Sequence, residues 1–146
     1  MSSNAKTLSF ISASGGVGKT TLSILLAKWI ISYKGQRRAP LKLLLVDLDP
    51  TAGLSLSIMR EDEYQRYVDE GKSLVGIYRM FNKGVVSVNI EDFAVSVNHE
   101  GYLLDVLVPR DDLDLIVDEL WRPGNPGPRF RKILERSGIY NMYDYI

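Results

Sequence analysis

The sequence predicts an α/β fold: a mostly parallel, doubly wound sheet with helices on both faces. Leu41 to Val46 (LKLLLV) and Leu103 to Val108 (LLDVLV) are near-continuous apolar runs of strand length, the pattern of strands covered on both sides. Between a first strand-like run, Leu8 to Ser12, and the second lies an apolar stretch at helical spacing, Leu22 to Ile31. Two such strands joined by a helix make a right-handed βαβ unit. A glycine-rich turn links the first strand to that helix.

Leu8-Ser9-Phe10-Ile11-Ser12 reads as a buried strand, followed by a loop over 13–19. From Thr20, residues Leu22, Leu25, Leu26, Trp29, Ile30 and Tyr33 share one wide helix face, and Gly35 stands at the C′ position. Ile24 and Ile31 fall off that face, so the helix is expected to be covered on two sides. Gln36 to Pro40 reads as a basic surface turn. After the second strand, Leu48-Asp49-Pro50-Thr51-Ala52-Gly53 turns out at the carboxyl end, where open α/β sheets bind ligands.

Arg60 to Val68 reads as a charged helix and Leu74 to Phe81 as an amphipathic one. Gly84 to Asn98 admits two readings. Val86, Val88 and Ile90 alternate like a strand, while Asn89 before Ile90-Glu91-Asp92-Phe93 fits the cap of a short helical turn. Leu103 to Val108 is the third strand, stopped by Pro109. Asp111 to Leu120 reads as a helix with acids in its first turn, where the macrodipole favours them. Trp121 to Pro128 holds three prolines and two glycines and reads as a loop. Arg129 to Arg136 begins another helix, closed by Gly138, and Tyr143 to Ile146 opens another strand.

Composition narrows the classes. A length of 146 residues suits one domain with a real core, and 45% hydrophobic with 25% charged residues is ordinary globular usage. Formal net charge is zero, so no overall basic bias points to nucleic acid. The absence of cysteine excludes a disulfide framework and any Cys-ligated zinc or iron–sulfur centre. Met1 to Lys6 carries no apolar signal region, and Leu22 to Ile31 is too short to span a bilayer and is interrupted by Lys28. A soluble cytoplasmic protein with no membrane association is expected.

The loop carries the chemistry. Ser14-Gly15-Gly16-Val17-Gly18-Lys19-Thr20-Thr21 sits between a strand and a helix, the context in which glycines let successive N–H groups curl around phosphates at the helix's positive end. Lys19 is placed to reach the terminal phosphates, and the Thr20 hydroxyl to ligate Mg²⁺. All eight residues are candidates for binding a nucleoside triphosphate. The strict pattern G-x-x-x-x-G-K-[ST] fails at one place, Ala13.

GGVGKTT resembles the deviant phosphate loop of the ParA/MinD family, written KGGVGKT[TS], which includes plasmid and chromosome partition ATPases and cell-division positioning ATPases. Val46-Asp47-Leu48-Asp49-Pro50 is similar to that family's (V/I)-D-x-D-P-Q at the end of the next strand. Leu103 to Pro109, followed by Leu113, looks like a later family strand. Tyr143-Asp144-Tyr145-Ile146 resembles the opening of the Walker B strand, whose aspartate organises Mg²⁺, and the chain ends just short of that aspartate. The resemblance therefore implies a P-loop NTPase fold, with residues 1–146 a single domain forming the N-terminal part of a longer ParA-like one. It further implies ATP or ADP with Mg²⁺ as cofactors and a switch function in DNA or plasmid segregation. A ParB-like adaptor, non-specific DNA and a nucleotide-dependent homodimer are the implied partners.

Two departures from the family pattern bear on function. Ser14 stands where the family has a lysine that reaches a dimer partner's phosphates, which puts the sandwich dimer in question. Thr51 stands where glutamine is usual, a milder change because a hydroxyl still donates and accepts. Of the acidic pair, Asp47 takes an outer-shell Mg²⁺ or switch role and Asp49 orients the attacking water; otherwise both are solvated turn residues before a proline. Lys19 and Asp49 are thus the catalytic candidates, Thr20 and Asp47 the metal candidates. Lone His99, between Asn98 and Glu100, reads as a surface histidine in a polar loop. Arg122, Arg129, Arg131, Lys132 and Arg136, opposed by Glu135, read as a charged helix flank or a phosphate-backbone contact. Tyr140, Tyr143 and Tyr145 read as core and strand packing. Three functions compete: a partition switch, a P-loop metabolic ligase or kinase, and a non-hydrolysing nucleotide-binding module.

Overall fold

The computed structural model describes residues 5–33, 41–110, 112–114, 116 and 127–146, with the backbone alone for 127–130. In chain order the elements are α1 (Lys19–Ser32), β1 (Leu44–Val46), α2 (Gly53–Ile58), α3 (Glu61–Asp69) and α4 (Leu74–Asn82). A 3₁₀ turn (Ile90–Asp92), β2 (Val95–His99), β3 (Tyr102–Leu107), α5 (Gly127–Arg136) and α6 (Ile139–Met142) follow.

The strand order is β1-β3-β2. β1 runs parallel to β3, with Leu45 opposite Val106, and β2 closes the edge antiparallel to β3, with Val97 opposite Leu104. On the other side of β1, residues 144–146 bond to both neighbours. Leu44 N–H donates to Tyr145 C=O at 3.0 Å, and Leu8 N–H donates to Ile146 C=O at 2.8 Å. Tyr145 forms parallel bridges with both Leu43 and Lys6. The pairing is therefore mostly parallel, as expected, with β2 antiparallel at the edge; of the strand expected from Tyr143 to Ile146, Tyr145 alone is bridged. β2 and β3 join through Glu100 and Gly101, both at positive φ, 51° and 85°, which is the two-residue geometry that matches strand twist.

Alternation places the core. Leu43 and Leu45 face one layer with Ile24, Ala27 and Ile30 of α1 and with Val95, Val97, Leu104 and Val106 of the hairpin. Leu44 faces the opposite layer with Leu74 and Ile77 of α4, Ile133 of α5 and Ile139 of α6. Helices thus cover both faces. Ser73 caps α4 by accepting from Gly76 N–H at 3.0 Å, and a Cβ at Gly76 would stand 2.1 Å from the Gly71 carbonyl oxygen. Only glycine lets those two backbones meet so closely.

Several expectations need correction. The first strand pairs over Lys6 to Leu8 rather than lying buried over Leu8 to Ser12: Leu8 is half-exposed and Ile11 is 90% exposed. A strand is buried only where a neighbour runs beside it, and of this first segment only residues 6 and 8 bond to 144–146. The face of α1 is also different. Ile24, Ala27 and Ile30 meet the sheet, whereas Leu22, Leu25, Trp29 and Tyr33 are exposed, with the last two rings stacked 5.6 Å apart. This helix is apolar nearly all round, so its periodicity cannot select the side the sheet takes.

Between α4 and β2, Asn89 does cap: its Oδ1 accepts from Glu91 N–H at 3.2 Å, and the strand starts only at Val95. His99 is not in a loop but ends β2 opposite Tyr102. Leu113, Asp114 and Ile116 are helical, while the rest of the helix expected over 111–120 lies outside the described residues. So do Gly35 and the whole of the basic turn over 36–40. Helix α5 starts at Gly127, so Pro128, expected in the loop, lies in its first turn, where a proline lacks nothing by having no N–H. Tyr143 is buried and Tyr140 and Tyr145 are half-buried, all against the core; burial, then the nearby Asp105 carboxylate, pushes the Tyr143 phenol well up.

Candidate functional site

The loop adopts the conformation its glycines permit. Gly16 and Gly18 have φ of 73° and 87°, and a Cβ at Gly15, Gly16 or Gly18 would meet nothing within 4 Å. The glycines are therefore not demanded by packing. Positive φ at alternate positions turns N–H groups toward one side and forms an anion-binding concavity. Gly18 is the N-cap of α1 and offers no side-chain cap, and the first helical bond is Leu22 N–H to Gly18 C=O at 2.9 Å. The amides of Lys19, Thr20 and Thr21 precede that bond and are left to an incoming acceptor.

Hydrogen bonds within the loop preset it, among them one from Ser12 Oγ–H to the Ser14 carbonyl at 3.2 Å. Ser14 N–H donates to Ser12 Oγ at 3.1 Å, and Lys19 Nζ donates to the Ser14 carbonyl at 3.0 Å. The ammonium is thus folded back over its own loop and can exchange that carbonyl for a phosphate.

The acidic pair sits at the end of β1, where Asp47 N–H still donates to Leu107 C=O at 3.1 Å. Asp47 is buried, 4% exposed, and accepts three hydrogen bonds. Oδ1 takes Asp49 N–H at 3.1 Å, and Oδ2 takes Ser55 N–H at 2.9 Å and Ser55 Oγ–H at 2.8 Å. A charge this buried needs such donors. Asp49 is exposed, and its Oδ1 accepts from Thr51 N–H at 2.9 Å and Thr51 Oγ–H at 2.8 Å. Ala52 N–H donates back to Asp49 C=O at 2.9 Å, closing a turn with Pro50 at its second position; Ala52 itself has φ of 55°.

Lys19, Thr20, Asp47 and Asp49 line one end of a cleft of about 650 Å³ that runs from the carboxyl end of β1 along Leu43 to Leu45 as far as Leu134 and Ile139. The structure thus brings together both catalytic and both metal candidates. Ser14, Gly15, Gly16, Val17, Gly18 and Thr21 form the exposed loop and first helical turn beside it and are not part of that lining. The two metal candidates fit an oxygen-loving cation in different ways. Thr20 lines the cleft and carries a hydroxyl, whereas both Asp47 oxygens are engaged, which suits contact through water rather than direct ligation. Among the described residues no cluster of three His, Cys, Asp or Glu side chains could hold a metal by itself.

Ser55 escaped the sequence reading. It lies eight residues beyond Asp47, and no spacing rule links a strand end to the first turn of a helix not anticipated there. Of the basic run, Arg131 pairs with Glu135 at 2.9 Å, Lys132 and Arg136 are exposed, and the side chains of Arg122 and Arg129 lie outside the described residues.

Comparison with known proteins gives the family and the fold. The family described as AAA domain matches residues 5–146. A virulence plasmid ParA family protein of Chlamydia psittaci is 34% identical over 110 residues, covering 64% of this chain and 40% of that protein. Among solved structures, pNOB8 ParA bound to nonspecific DNA superposes with a TM-score of 0.64 at 22% identity, over 97% of this chain and 44% of the other. A plasmid partition protein from Borrelia burgdorferi gives 0.62 at 23% identity, over 98% and 54%. The chain spans about half the length of these relatives or less. Matched over nearly its whole length, the chain belongs to the AAA domain family and is ParA-like in sequence and fold.

Proposed function

We propose that residues 1–146 form the N-terminal part of a single ParA-like P-loop domain, a cytoplasmic ATP-dependent switch that acts in DNA or plasmid partition. One observation carries this reading: Lys19, Thr20, Asp47 and Asp49 converge on one cleft beside the glycine loop. The ParA family name of the Chlamydia psittaci relative and the nonspecific DNA on pNOB8 ParA support it.

Loop amides from 15 to 20 would take the phosphates of ATP or ADP, with the Lys19 ammonium adding charge-assisted hydrogen bonds. Mg²⁺, held by the Thr20 hydroxyl and through water by Asp47, would supply charge neutralisation on the phosphates. Asp49 would orient the attacking water. Ser14 has no ammonium for a partner's phosphates, so a nucleotide-dependent homodimer would be weaker than one clamped by lysine. Exposed Lys132 and Arg136 offer a surface for DNA phosphates, and a ParB-like adaptor would set the timing. Among the described residues no helix is long and apolar enough to cross a membrane.

The test is steady-state ATP turnover by the protein as its gene encodes it, with and without DNA, for wild type and Asp49→Ala. DNA-stimulated turnover, lost in Asp49→Ala with nucleotide affinity retained, is expected. Turnover only with a small acceptor would make it a ligase or kinase, and binding with no turnover a non-hydrolysing module.

A further inference from the structure

We infer that Thr51 is a positioning residue for hydrolysis: it fixes one oxygen of the Asp49 carboxylate so that the other is presented to water. This rests on the reading of Asp49 as the water-orienting group. Thr51 gives both of its donors, N–H at 2.9 Å and Oγ–H at 2.8 Å, to the same atom, Asp49 Oδ1. Oδ2 accepts no hydrogen bond among the described residues.

The backbone of Asp49 is held from both ends. Its N–H is tied to Asp47 Oδ1 at 3.1 Å, and its C=O accepts from Ala52 N–H at 2.9 Å across the turn that Pro50 rigidifies. What such anchoring leaves loose in an exposed aspartate is rotation of the carboxylate. The Thr51 hydroxyl restrains that rotation, and the backbone N–H supplies a single bond about which the group can still swing. An aspartate that must hold a water in line with a phosphate gains rate from the lost freedom, since small misplacements cost heavily in a positioning-dominated reaction.

The experiment uses the protein as its gene encodes it, with Thr51→Val, Thr51→Ser and Asp49→Asn. Valine keeps the branched shape and the backbone donor and removes only the hydroxyl. Thr51→Val is expected to lower kcat about tenfold while nucleotide affinity stays within about twofold, and Thr51→Ser to recover most of the rate. A purely structural turn residue would instead lower stability and affinity together, without rescue by serine. Wild-type turnover in Thr51→Val, with Asp49→Asn inactive, overturns the role of Thr51 alone. Wild-type turnover in Asp49→Asn overturns the reading beneath it. Where turnover is too slow to score, the same variants are ranked by affinity for Mg²⁺–ADP–aluminium fluoride relative to Mg²⁺–ADP. A wild-type preference lost in Thr51→Val and regained in Thr51→Ser supports the proposal. A preference that Thr51→Val retains overturns it, and no wild-type preference at all overturns the reading of Asp49.

Discussion

Replacing Ser55 by alanine tests how the acidic turn is held. Ser55 is fully buried, and its hydroxyl donates to Asp47 Oδ2 at 2.8 Å. Alanine removes that bond and keeps the 2.9 Å bond from the backbone N–H to the same oxygen. A hydrogen bond to a charged group contributes about 1.5–3 kcal/mol. Because Asp47 keeps two other donors, the lower end applies, about 1.5–2 kcal/mol by the same measure. Alanine's better helix propensity returns about 0.5 kcal/mol. The net loss is then about 1–1.5 kcal/mol, which in a chain of this size lowers Tm by about 3–5 °C. Urea unfolding followed by circular dichroism measures it, with an unchanged m-value showing that the native fold is retained. A Ser55→Ala protein within about 0.3 kcal/mol of wild type, inside the ordinary scatter of surface substitutions, would refute the claim that this bond secures the strand end to α2.

Gly76→Ala forces a Cβ to within 2.1 Å of a backbone carbonyl, so a net loss of about 2 kcal/mol is expected despite alanine's helix propensity; an unchanged or raised Tm would contradict the close approach. Glu100 in the hairpin turn pairs with Lys28 of α1, which holds its carboxyl below the usual range. A depressed folded pKa means that the tie stabilises above the ordinary carboxylate range and is lost as pH falls through the lowered value. Thermal melts should therefore show Glu100→Gln slightly below wild type at neutral pH and equal to it in strong acid; a gap that persists or widens in acid would show that the pair is not the cause.

Much of the fold was legible because strands covered on both faces announce themselves. LKLLLV and LLDVLV have little other way to be satisfied, and GGVGKTT followed by D-L-D-P located the cleft before any geometry was known. The illegible parts depend on what lies beside a segment. Whether α1 turns Ile24 or Leu22 to the sheet follows from the sheet's position, not from helix spacing. Leu8 to Ser12 has strand chemistry, but among the described residues before the loop only Lys6 and Leu8 bond to 144–146. The hairpin at Glu100-Gly101 was readable in principle, since a glycine at a two-residue turn is a hairpin signal, yet Asn98-His99-Glu100 looked too polar for a strand end. The bond from Ser55 to Asp47 joins residues whose separation carries no periodic meaning. Site residues were therefore legible where a motif encodes them, and their supporting partners were not.

The central claim is that the glycine loop with Lys19 is a phosphate site, and calorimetry of Mg²⁺–ATP binding to wild type and Lys19→Ala tests it most directly. Lys19 now donates to the Ser14 carbonyl at 3.0 Å, so binding exchanges a neutral acceptor for a charged one. The account predicts that Lys19→Ala weakens binding at least tenfold, the equivalent of about 1.4 kcal/mol or more, with the fold unchanged by circular dichroism. Equal affinity in the two proteins would contradict it.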